Sequence, residues 1–124
     1  MINIKATIEG EPDVPPFTRV FDYDEQVFFS SAAIVEEKIQ RKTKINANEA
    51  LLAYCVHVVK SISACKNDSD IQNDAAKILS ADDVMIGVPE TLQVIRFEVK
   101  LGNKVRNVAI RKPMPTSSYI MEGD

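Results

Sequence analysis

The apolar residues of this chain change their spacing at Ser80-Ala81-Asp82-Asp83-Val84-Met85-Ile86-Gly87-Val88-Pro89-Glu90, and that change limits the fold more than any other feature. Upstream of it they recur at helical intervals; downstream they alternate. A chain that does both must pack helices against a sheet. The stretch itself reads as one short helix with its start and stop written in. Ser80 is placed to cap the N-terminus, its hydroxyl accepting from a free backbone N–H. Asp83 puts negative charge in the first turn, although its side chain is short for the return half of a capping box. Gly87 suits the left-handed position past a helix end, and Pro89 forbids continuation.

The N-terminal residues Ile2, Ile4, Ala6 and Ile8 alternate with Asn3, Lys5 and Thr7, a period-two pattern that predicts a strand. Glu9-Gly10-Glu11-Pro12 breaks it, and Pro15-Pro16 keeps the next residues extended or turned. Glu9 to Asp22 therefore reads as an arm, packed through Phe17, Val20 and Phe21.

From Tyr23 to Lys42 the period is helical, with Val27, Ser31, Ile34, Val35 and Ile39 on one face and Asp22 or Asp24 as the cap. Asn46 with Glu49 three residues on is a second helix start. That helix runs to Ala64, with Leu51, Tyr54, Cys55, Val58 and Ile62 as its inward stripe. Leu52, Val56 and Val59 widen the stripe, and a helix apolar on most sides needs neighbours on most sides. Those three residues are the candidate subunit interface. A third helix is predicted over Asp70 to Leu79, facing inward through Ile71, Ala75, Ile78 and Leu79.

Beyond Pro89, Ile95, Phe97, Val99 and Leu101 alternate with less apolar neighbours, and Gly102-Asn103 permits a tight two-residue turn. Placing Leu101 opposite Lys104 puts Phe97 opposite Val108 and Ile95 opposite Ile110. A one-residue slip would turn every side chain over. The fold class is therefore α+β: an N-terminal strand, three to four packed helices, then a C-terminal β-hairpin. Residues 1–22 form the strand and arm, 23–112 the α+β domain and 113–124 a tail, where Tyr119, Ile120 and Met121 are the residues suited to docking.

Chemistry-bearing residues are sparse. One histidine, His57, cannot supply a multi-histidine metal site. There is no HExxH, no paired CxxC, no GxSxG and no glycine-rich phosphate cradle. Cys55 lies on the inward stripe and reads as a core residue, Cys65 at a helix end, and Asp82-Asp83 as first-turn charge. No catalytic, cofactor-binding or metal residue is expected on this chain. A net charge of −3 argues against a nucleic-acid surface, and no apolar run reaches the ~20 residues that span a bilayer. Two cysteines and no secretory signal give a reduced, cytoplasmic expectation.

Several motifs in order resemble the urease gamma subunit family. Asp82 to Glu90 matches its Asp-Asp-Val-Met-x-Gly-Val-Pro-Glu, Ile45 to Ala50 its second-helix start, and Ile95-Arg96-Phe97-Glu98 its Ile-Gln-Val-Glu strand. The likeness runs from Tyr23 to Pro113. The chain departs from it in the residues before Tyr23 and at Lys66-Asn67-Asp68-Ser69, where the family has Gly-Lys-Thr. The resemblance implies a structural, non-catalytic subunit of a nickel-dependent urease, which hydrolyses urea to ammonia and carbamate. In the family the alpha chain holds two nickel ions bridged by a carbamylated lysine. The implied partners are urease alpha and beta chains, in a hetero-oligomer that is commonly a trimer of heterotrimers; a homotrimer is the corresponding state of the chain alone. The competing reading is a stand-alone interaction module, since three helices and a hairpin with a basic tip also outline a winged-helix DNA binder.

Overall fold

Ile2, Ile4, Ala6 and Ile8 all point to one side of strand β1 (Ile2–Glu9), and each is at most 2% exposed. Such a strand, buried along one face, needs neighbours along its edges. It has them on both. The computed structural model describes residues 2–114, the side chain of Tyr23 apart. In it β1 pairs antiparallel with β2 (Phe17–Tyr23) on one side and with β3 (Val94–Leu101) on the other. Strand β4 (Lys104–Arg111) completes a four-stranded sheet of order β2-β1-β3-β4. The first and last segments of the described chain thus meet in one sheet, and the N-terminal strand lies in its interior.

The segment Glu9 to Asp22 is not merely an arm. Its second half is β2, whose Phe21 sits opposite Ile4 and whose Arg19 sits opposite Ala6. The turn between the two strands runs close to the rest of the chain. A Cβ on Gly10 would collide with the carbonyl oxygens of Thr91 and Glu90, so this position needs glycine for its lack of a side chain.

The hairpin obeys its turn. Leu101 faces Lys104, Phe97 faces Val108 and Ile95 faces Ile110. Ile95, Phe97, Val99, Val108 and Ile110 are buried on the face shared with the β1 isoleucines. Arg96, Glu98 and Lys100 leave the opposite face to solvent.

Helices cover the buried face. Asp24 caps α1 (Glu25–Gln40), its Oδ1 accepting from the Val27 N–H at 2.8 Å. The helix packs through Phe28, Ala32 and Val35, with Ile39 partly covered. The buried face is turned by one residue from the predicted one: Val27 is 47% and Ile34 is 61% exposed. Helix α2 (Ala47–Ser63) opens on the predicted reciprocal cap. Asn46 Oδ1 accepts from the Glu49 N–H at 2.8 Å, and Glu49 Oε1 accepts from the Asn46 N–H at 3.0 Å. Lys38 of α1 donates to the other Glu49 oxygen, tying the two helices together. Leu51, Tyr54, Cys55 and Val58 are at most 2% exposed. Helix α3 (Asp68–Ala75) begins two residues before its predicted start, because Asn67 caps it by accepting from the Asp70 N–H.

Ser80 to Glu90 is not one helix. A single 3₁₀ turn covers Ala81–Asp83. Val84 is then extended and bridges in parallel to Ile45, with the Ile45 N–H donating to the Asp83 carbonyl and the Met85 N–H to the Ile45 carbonyl. That bridge ends the turn, since Val84 cannot be extended and helical at once. The Ser80 hydroxyl donates to the Asp83 carboxylate, which also receives the Ser80 N–H at 2.9 Å, so Asp83 is long enough after all to supply the return half of a capping box. Gly87, at φ 94°, stands before the short helix α4 (Val88–Thr91), so Gly87 and Pro89 mark a beginning rather than an end. Proline in a first helical turn sacrifices no intrahelical donor.

Candidate functional surfaces

The residues that carry chemistry elsewhere are occupied here with structure. The His57 Nε2–H donates to the Ile71 carbonyl at 2.9 Å, fastening α2 to α3. Cys55 is fully buried, and burial pushes its thiol up, away from the reactive thiolate. Cys65 is exposed and outside any disulfide at the end of α2. Asp83 is spent on the 3₁₀ turn, and the Asp82 carbonyl accepts from Lys44 Nζ at 2.9 Å. Among the described residues no three His, Cys, Asp or Glu side chains come together in a way that could hold a metal ion. The Tyr54 hydroxyl is buried with no hydrogen-bond partner among the described residues, and burial raises its pKa.

Shape is more informative than chemistry. A groove of about 580 Å³ runs between α1 and α2, floored by Ala32, Val35, Ile39, Ala53 and Val56. Lys60, Lys66 and Lys77 stand along its rim. Lys66 and Lys77 flank Asp74 at 3.2 and 3.6 Å. The Lys66 hydrogen bond, with help from Lys77, holds the Asp74 carboxyl below its ordinary range.

The three candidate interface residues have different environments. Val59 is 3% exposed and covered by this chain's own residues. Val56, at 6%, shows only its edge, in the groove. Leu52 is half-buried. The larger exposed apolar surface lies elsewhere. Val27, Phe29 and Ile34 of α1 are 47%, 37% and 61% exposed, and Ile86 stands fully in solvent beside a 47% exposed Met85. These positions were legible as apolar, but α1 is apolar on several faces at once. Periodicity could not say which of them the core would take.

The family model described as "Urease, gamma subunit" matches residues 20–114. The chain belongs to the urease gamma subunit family. It is 31% identical over 86 residues to the urease subunit gamma of Halalkalibacterium halodurans, covering 69% of this chain and 86% of that one. It is 26% identical over 93 residues to that of Laribacter hongkongensis, covering 75% and 93%. The gamma-type match begins inside β2, so all of β1 lies outside it while occupying the middle of the sheet.

Membership of the gamma family leaves the winged-helix reading without support. The hairpin is also no free wing, because β3 pairs along its whole length with β1. Helix α3 carries Asp68, Asp70 and Asp74, a poor surface to set against phosphates. No helix among the described residues is long and apolar enough to cross a membrane.

Proposed function

We propose that this chain is the structural, non-catalytic gamma-type subunit of a nickel-dependent urease. The observation that carries the reading is the family match over residues 20–114. Urea and water are converted to ammonia and carbamate on the alpha partner chain, which holds the nickel. The described residues of the present chain offer no ligand set suited to that metal, with His57 committed to Ile71. The working assembly contains alpha, beta and gamma chains, arranged as a trimer of heterotrimers in the cytoplasm.

Within that assembly the contribution of this chain is buried apolar area. The outward face of α1, through Val27 and Ile34, is the principal contact with the large partner, continued by Leu52 and by the Val56 edge of the groove. Val27 and Ile34 lie seven residues apart, on one face of the helix, and a contiguous apolar face is the kind of surface that takes a partner. The acidic first turn of α3 stays outside the contact, where its charges remain hydrated.

The test is recovery of the tagged chain from its native cell extract, followed by mass spectrometry, nickel analysis and a urease assay on the eluate. The expected result is a large nickel-containing partner and hydrolysis of urea. Recovery of the chain alone, or with unrelated proteins and no activity, would overturn the proposal.

A further inference from the structure

The groove between α1 and α2 joins an apolar floor to a basic rim. Among the described residues three lysines line it, Lys60, Lys66 and Lys77, against one acidic side chain, Glu36. Lys66 and Lys77 share Asp74, whereas Lys60 makes no ion pair among the described residues. A segment suited to such a surface carries apolar side chains with carboxylates close behind them. The sequence holds one. Thr116-Ser117-Ser118-Tyr119-Ile120-Met121-Glu122-Gly123-Asp124 has three consecutive large side chains with apolar bodies, then two carboxylates, and no basic residue. It lies beyond the family-matched residues. The chain also leaves the sheet beside α3, which borders the groove. The Gln72 side chain takes both backbone groups of Arg111, accepting from its N–H at 2.7 Å and donating to its carbonyl at 2.9 Å. His57 and Lys66, which line the groove, bond to Ile71 and Asp74 of the same helix. Helix α3 has 8 residues and is about 12 Å long. An extended chain from Arg111 to Tyr119 reaches about 26 Å, enough to pass α3 and enter the groove.

We propose that residues 116–124 are the occupant of this groove, within the same chain. Tyr119, Ile120 and Met121 seat on the floor formed by Val35, Ile39 and Ala53, and Glu122 and Asp124 face Lys60 and the neighbouring lysines. The tether favours this occupant over a separate molecule. A segment joined to the domain by a few residues meets the groove at an effective concentration on the order of millimolar, so a modest apolar contact is enough to hold it. The outward face of α1 is a different surface, adjoining this one at Val56, so the proposal does not rest on the urease reading.

The test is nuclear magnetic resonance on the isotope-labelled full chain, with a nitroxide attached through Ser118→Cys. Cys65→Ser removes the exposed thiol, and Cys55 is buried. The backbone signals of Ala53, His57 and Ala64 are expected to lose most of their intensity. Those of Thr7 and Asn107, on the far face of the sheet, should keep theirs. Adding Ile120→Asp in the tail, or Lys60→Glu at the rim, should restore most of the groove signals, with circular dichroism confirming that each variant is folded. Loss spread evenly over the surface, loss confined to the outward face of α1, or loss that survives either substitution would overturn the proposal. So would loss in the groove when nitroxide-bearing chain without the isotope is mixed with isotope-labelled chain without the nitroxide, since the occupant would then be a second copy. A groove whose signals change only when a urease alpha or beta chain is added would give the site to that partner and overturn it as well.

Discussion

Helices α1 and α2 are neighbours of nearly equal length, 16 and 17 residues, and both are rich in apolar side chains. They are used in opposite ways. The core takes seven residues of α2 and three of α1. Helix α2 has the sheet-side core, α1 and α3 around it, and so consumes its apolar surface within the chain. Helix α1 lies on the outside of the domain and leaves Val27, Phe29 and Ile34 uncovered. Apolar excess in a sequence therefore says that partners are needed, but the packing decides whether those partners are internal. Of the broad stripe of α2, Val56 and Val59 are nearly covered within the chain and Leu52 is half-buried, so α1 has more apolar surface left for a partner.

The contrast can be broken most forcefully from the α2 side. Leu51→Ala empties a site that is 2% exposed, and the cavity should cost about 2–5 kcal/mol in a denaturant titration. A loss below about 1 kcal/mol would mean that α2 is not the packed centre. Asn46→Ala removes the cap that starts α2 and should cost about 1 kcal/mol by the same measurement. A neutral result would show that the Glu49–Lys38 tie, not the cap, fixes the beginning of the helix.

A smaller effect concerns pH. The Lys38 hydrogen bond, aided by the Asn46 N–H, holds the Glu49 carboxyl below its ordinary range. A carboxylate depressed on folding contributes stability above its unfolded value and loses it as pH falls through the folded one. Glu49→Gln keeps the reciprocal cap but removes the charge. Melting curves of this variant should show a shallower decline on the acid side than those of the wild type. An unchanged acid limb would remove Glu49 from the account. The smallest effect is expected on α1. Ile34→Asp, at an exposed position, should move stability by only about 0.5 kcal/mol. A large loss would mean that the outward face is covered after all.

The same physical line divides the readable elements from the unreadable ones. The β3–β4 register was readable because a two-residue Gly102-Asn103 turn leaves one way to pair the strands. The β1 strand was readable from Ile2, Ile4, Ala6 and Ile8, and the α2 start from Asn46 and Glu49. These are signals that carry their own geometry. The β2 strand was hidden because an edge strand with one outer side need not alternate, and Pro15-Pro16 masked its beginning. The α1 face was misplaced by one residue because Val27 and Phe28 are equally apolar, and only contact with the core chooses Phe28. The Ser80–Glu90 stretch was misread because glycine and proline punctuate both ends of helices; the Ile45–Val84 bridge, a contact between distant residues, sets their sense here. The docking expectation for Tyr119, Ile120 and Met121 falls outside the described residues.

The candidate surface was less legible than the fold. Family motifs pointed to a subunit, and the family match agrees. The positions that face outward depended on packing, which periodicity does not contain.

The measurement that bears most directly on the account is a paired pull-down with tagged wild type and Ile34→Asp from the native cell extract, scored by recovered urease activity and nickel. The account predicts that the wild type brings down an active nickel-containing urease, while the variant, folded and equally abundant, brings down little or none. Equal recovery by both would contradict the claim that the outward face of α1 is where this chain joins the enzyme.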